Sequence, residues 1–303
     1  MTVLPPPARS SRSSGVTLIE LAITIALVGI LAALIVQFVA PVRSYIDSSR
    51  RAALADTADT ALRRIGRDVR LALPNSVRVD ATSKFVEFLL VRTGGRYRFE
   101  AGAGTDCGGT AADDALTFGA ADTCFTTIGS IPNSGDVTSN DYVVVYNLPT
   151  GTDKADAYQP VSSCGAACNK SQITTAPLPA ATGGHRIDFT GGNTFTFESP
   201  GRRFFIIEGA VTYGCTGTDL VRYSNYGINA TQVAPPNGVG MVETKLATGV
   251  DIANCSFNYD GIASAAAQGA GLLTMSLGLR MQDSRGDTEN LNLYHAVHVN
   301  NVP

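Results

Sequence analysis

The sequence predicts an α+β protein. One long N-terminal α-helix, membrane-spanning in its first half and amphipathic in its second, packs on a mostly antiparallel β-sheet domain with long disulfide-bonded loops. Three observations predict it. Residues 16 to 40 carry a single charge, Glu20, in an otherwise apolar run. Beyond that run, apolar residues recur at three- and four-residue steps as far as Ala72. From residue 77 onward the apolar period changes to two, and all six cysteines lie in this part.

The N-terminal run is long enough to cross a bilayer, which needs about 20 apolar residues. A cleaved secretory signal has a shorter apolar region, and Phe38-Val39-Ala40 is a poor cleavage site because Phe38 stands where a small residue is wanted. Arginines flank the run on both sides, Arg9 and Arg12 before it and Arg43, Arg50 and Arg51 after it. Loop charge therefore does not orient it. A carboxylate at the bilayer centre costs roughly 2.5 to 3.5 kcal/mol, and less near an end. The retention of Glu20 demands a reason.

Pro41 removes one helical hydrogen bond, and a kink is expected there. The helical pattern then resumes over residues 41 to 74. Leu54, Ala58, Leu62, Ile65, Val69 and Ala72 form the apolar stripe of an amphipathic helix. Asp59 with Arg63, and Arg64 with Asp68, stand four apart and are expected to pair. Gly66 reads as a mild defect, and Pro74 as the stop. The whole helix, residues 17 to 73, is on the order of 85 Å long. Interleaved aspartates make its arginines a solvated face rather than a nucleic-acid surface, and a net charge of −3 with pI near 5.6 argues the same for the chain.

Residues 75 to 303 read as a β-rich globular domain. A hairpin is expected from "KFVEFLLV" to "RYRFE" through Thr93-Gly94-Gly95, and a second from "HRIDF" to "TFTFE" through Gly191-Gly192-Asn193. Further strands are expected at 141–148, 203–215, 219–224, 253–260, 272–282 and 289–300. Residues 101–140 and 149–184 read as long loops, each holding a cysteine pair. The even cysteine count indicates disulfides in an oxidising compartment, and so a C-terminal part outside the cytoplasm. Of the fifteen pairings six cysteines allow, near neighbours are expected: Cys107–Cys124, Cys164–Cys168 and Cys215–Cys255.

Catalytic machinery is not expected. No Gly-x-Ser-x-Gly elbow and no nucleophile with an adjacent base is present. "AGAGTDCGG" lacks the lysine of a phosphate loop. His295 and His298, three apart in a strand, point to opposite faces, and His185 reads as a turn residue. Asp113-Asp114 reads as solvated loop charge. No cofactor and no metal site is expected.

The stretch Gly15-Val16-Thr17-Leu18-Ile19-Glu20, after a short polar leader, resembles the class III signal of type IV prepilins and pseudopilins. The commonest residue at position 16 in that family is phenylalanine. "RRFFIIEGAVTYGC", "LATGVDIANCSFNYD", "LYHAVHVNNVP" and the helix "RRAALADTADTALRRIGRDVRLALPNSVRV" resemble the larger minor pilins of the PilW and MshO type, the latter of the mannose-sensitive haemagglutinin (MSHA) pilus. The resemblance implies a pilin-like fold: leader 1–15, hydrophobic filament-core helix 16–40, amphipathic helix 41–74 and head 75–303. It implies that a prepilin peptidase cuts between Gly15 and Val16 and methylates the new amine of Val16. It makes Glu20 an assembly contact. Implied partners are that peptidase and N-methyltransferase, other major and minor pilins, the inner-membrane assembly platform, and lipid before assembly, with no nucleic acid. The implied location is the bacterial inner membrane with a periplasmic head, then the extracellular pilus. Two rivals remain: a pseudopilin of a type II secretion system, and a membrane-anchored periplasmic binding or adhesive protein.

Overall fold

The computed structural model describes residues 15–100, 104–108, 114–165, 167–181, 183–261, 269–282 and 286–303, without the side chains of 38–44. The leader with Arg9 and Arg12, the Phe38–Ala40 site and Asp113 lie outside what is described. The chain divides into two compact units between Ala52 and Ala53.

Helix α1 spans Leu18–Arg70, and its helical backbone continues through Pro41. It stops before Pro74 because the sheet takes over the chain. Leu73 N–H donates to the Leu89 carbonyl at 2.8 Å, and Val91 N–H donates to the Leu71 carbonyl at 2.9 Å. The second unit thus begins on the last turns of α1.

Among its described residues that unit holds thirteen strands: β1 Arg78–Val79, β2 Phe85–Arg96, β3 Asp122–Thr126, β4 Tyr142–Val145, β5 Lys170–Gln172, β6 Leu178–Pro179, β7 His185–Asn193, β8 Arg203–Thr216, β9 Asp219–Ser224, β10 Val242–Thr248, β11 Ser256–Gly261, β12 Ala270–Gln282 and β13 Thr288–Asn300. They form three antiparallel sheets. The largest has the order β1-β2-β8-β4-β5, with β9 and β10 branching from β8; the others are β11-β12-β13 and β3-β7-β6.

The period of two decides what each sheet face covers. Val86, Phe88 and Leu90 of β2 point to one face, where they meet Ala58, Leu62, Ile65 and Val69 of α1. Phe85 and Leu89 point to the other, with Tyr158, Ile207 and Tyr226. Leu273, Met275, Leu277, Val297 and Val299 of the second sheet join the α1 core. Each such aliphatic side chain contributes roughly 1.5–3 kcal/mol when fully buried. Gly66 is no defect. It sits where α1 meets β13, and a Cβ there would lie 3.1 Å from both His295 Nε2 and Val297 Cγ2.

Neither expected hairpin forms. β2 runs straight through Thr93-Gly94-Gly95 and pairs with β8, because these glycines permit close contact rather than a turn. A Cβ on Gly94 would meet the Phe204 carbonyl at 2.7 Å, and one on Gly95 would meet Ile131 at 2.8 Å. β7 likewise continues to Asn193, which pairs with Asp122 of β3. The two long "loops" contain β3, β5 and β6 and help to build a separate aromatic core of Tyr97, Phe125, Phe189, Phe195 and Phe204. The disulfides join Cys107 to Cys124, Cys164 to Cys168, and Cys215 to Cys255. The last ties the end of β8 to the residue before β11, and so links two sheets. Bridges of these 17- and 40-residue separations are worth about 3 and about 4 kcal/mol in the chain-entropy description.

Candidate functional site

The candidate residues singled out by the sequence, Gly15, Val16 and Glu20, lie together at the start of α1. Gly15 and Val16 are exposed and outside the helix. Thr17 caps it: the Thr17 carbonyl accepts from Leu21 N–H at 3.1 Å, and Thr17 Oγ1 accepts from Glu20 N–H at 3.4 Å. This is the threonine half of a Thr-x-x-Glu capping box, a pattern present in the sequence and missed in its reading. Glu20 stands in the first turn, where the helix dipole favours a negative charge. Its carboxylate has no partner among the described residues.

Leu18–Gln37 is long and apolar enough to cross a membrane, and all its side chains are exposed. At 1.5 Å per residue it matches the roughly 30 Å hydrocarbon core. Thr24 is accommodated because its hydroxyl donates to the Leu21 carbonyl at 2.9 Å. An apolar helix that is exposed along its length, with a carboxylate at its lip, is favoured in lipid or against other apolar surfaces.

The other candidates resolve differently. His295 faces α1 at Gly66 while His298 is exposed on the opposite face of β13. His185 opens β7, and its Nδ1 accepts from Ile131 N–H at 3.2 Å. Asp114 is not solvated loop charge. It is fully buried, with Oδ1 accepting from Cys107 N–H at 3.0 Å and Oδ2 without a partner among the described residues. Among the described residues no three His, Cys, Asp or Glu side chains gather as a metal site.

Asp59 pairs with Arg63 at 2.6 Å. Asp68 does not pair with Arg64. It accepts from Tyr213 Oη and lies 3.4 Å from Arg222 Nε, which fastens α1 to β8 and β9. Burial, and then the Asp68 acceptor, push the Tyr213 phenol up. A buried ionic group lies on β1 and β2. Arg78 Nε donates to Glu87 Oε2 at 2.9 Å, Tyr226 donates to Glu87 Oε1 at 3.0 Å, and Arg78 stacks 3.6 Å above the Tyr158 ring. Burial pushes the Glu87 carboxyl up, against the pull of Arg78.

The fold and the N-terminal site therefore define an α+β, pilin-like chain with a membrane-capable helix and three disulfides. Residues 10–36 match the prokaryotic N-terminal methylation motif. No curated protein and no solved structure matched the chain. The motif is of the type IV prepilin kind and supports a protein of the pilin or pseudopilin type.

Proposed function

We propose that the chain is a prepilin that matures into a low-abundance (minor) type IV pilin, of the MSHA kind, that primes a filament or is built into it. The observation that carries this reading is the methylation motif over residues 10–36 leading into an exposed apolar helix with one unpaired carboxylate. Prepilin peptidase cleaves after Gly15 and methylates Val16. The freed amine of one subunit then offers Glu20 of its neighbour a cation inside an apolar filament core. A buried carboxylate is costly alone and tolerable when paired. Before assembly the chain sits in the inner membrane with its disulfide-bonded head in the periplasm. The role is structural rather than enzymatic, and its partners are the peptidase, other pilins and the assembly platform.

The test is Glu20→Ala. The variant is expected to insert and be cleaved like the parent, while its recovery in sheared pili falls about ten-fold or more. Quantitative immunoblots of sheared and membrane fractions read both. Unchanged recovery would contradict the reading and favour an anchored periplasmic binding protein. Secretion lost without pilus loss, on deleting the gene, would favour the type II secretion pseudopilin.

A further inference from the structure

The solvent-facing side of α1 in the second unit is cationic and unneutralised. Ala58, Ala61, Leu62, Ile65 and Val69 face the sheets and are buried. On the other side Arg64, Arg67 and Arg70 are exposed. They stand three residues apart and so share one side of the helix. Spacing offers Asp59 and Asp68 to neutralise them, and the fold uses both elsewhere. Asp59 takes Arg63 at 2.6 Å, and Asp68 turns to Tyr213 and Arg222. Asp56 lies more than two turns before Arg64. Arg64, Arg67 and Arg70 therefore have no carboxylate partner among the described residues.

The complement is on the same chain. Residues 71–303 hold 21 aspartates and glutamates against 14 lysines and arginines. Glu100, Asp136, Asp153, Glu198 and Asp260 are exposed there and form no ion pair among the described residues. A side made only of cations cannot pair with itself across a two-fold axis, so its contact is between unlike faces. Guanidinium groups are planar and weakly hydrated, and they take carboxylates through two parallel hydrogen bonds. Leu71, exposed at the end of the same side of α1, adds an apolar contact beside the charges.

We propose that the Arg64, Arg67 and Arg70 side of α1 docks onto the acidic β domain of a second copy of this chain. Like charge disfavours contact of helix with helix or of β domain with β domain, and opposite charge favours helix against β domain. After the first contact each copy still has one face of each kind free, so the association is head-to-tail rather than a closed pair. The arginines and the carboxylates both lie in the second unit. The contact therefore needs no cleavage at Gly15, and the proposal does not depend on the filament reading.

The test uses the full chain in zwitterionic detergent micelles. Sedimentation velocity is expected to show self-association at about 50 mM salt that weakens about ten-fold or more at about 500 mM, where exposed charges are screened. Arg64→Gln/Arg67→Gln/Arg70→Gln is expected to remove the salt-dependent association and to leave the melting temperature unchanged, since the three side chains are exposed. Arg64→Lys/Arg67→Lys/Arg70→Lys keeps the charge and supplies amines. Mixed with isotope-labelled parent and treated with a carbodiimide, it is expected to give amide cross-links from the three positions to carboxylates of residues 71–303 of the labelled copy. Association that neither salt nor the glutamine variant changes would overturn the proposal and assign the contact to the apolar segment of α1. Absence of association up to about 1 mM protein would also overturn it. Cross-links that reach only a different protein in native membranes would overturn it in favour of that protein.

Discussion

Lys170 lies on β5 with its ammonium buried, donating to the Ala157 carbonyl and 5.9 Å from the centre of the Tyr142 ring. Burial pulls its pKa down to about 8, partly offset by Asp156. The unfolded chain has the ordinary lysine value, so between about pH 8 and 10.4 it binds more protons than the folded chain, and stability rises with pH across that window. The span is worth on the order of 3 kcal/mol. The melting temperature of the parent is expected to rise relative to that of Lys170→Met between about pH 8 and 9, below the range where the buried tyrosines, with their raised pKa, begin to act in the opposite sense; thermal scans of both proteins across that range check it. The sequence shows no reason for this burial. Lysine sits in "CNKSQ", within a stretch too polar to read as a strand, and its environment is assembled from residues 142, 156 and 157. Asp68 was hidden in the same way. Its local partner Arg64 was evident from spacing, while its observed partners Tyr213 and Arg222 come from strands about 150 residues further on.

At the scale of elements, α1 was the most legible feature. Its stripe of Leu54, Ala58, Leu62, Ile65 and Val69 follows from the helical period, and all but the partly buried Leu54 are buried. Its contact with β13 was not legible, since a glycine in a helix looks the same whether or not a strand lies against it. Gly66→Leu puts a branched side chain where a single Cβ already reaches 3.1 Å from Val297. It is expected to destabilise the head by about 2 kcal/mol or more, despite leucine's better helix propensity. Denaturant unfolding measures it, and unchanged stability would mean that α1 does not seat on β13 here. Strands β9 and β13 were readable to within a residue or two, β13 by its strict alternation and β9 by its apolar residues between turn signals. The glycine pairs of β2 and β7 misled because Gly-Gly signals a turn only when no neighbouring backbone demands the space. Short strands β3, β5 and β6 escaped because their pairing is decided by the aromatic core around Phe125 rather than by local pattern.

At the scale of the molecule, composition and cysteine placement indicated an α+β chain with a disulfide-bonded β domain, and the pairing by near neighbours is the one observed. The N-terminal motif was the most specific part of the sequence because its signal is local: a glycine, a short polar-to-apolar boundary and a carboxylate in the first turn. The unneutralised side of α1 was invisible, since spacing pairs Arg64 with Asp68 and the fold turns Asp68 to β8 and β9. On the proposed reading, Glu20 is kept for assembly after cleavage at Gly15. The most direct measurement is the N-terminal sequence and intact mass of the protein purified from native membranes. A chain that begins at Val16 and carries one added methyl group is expected. A chain that begins at Met1, or near Pro41, would contradict it.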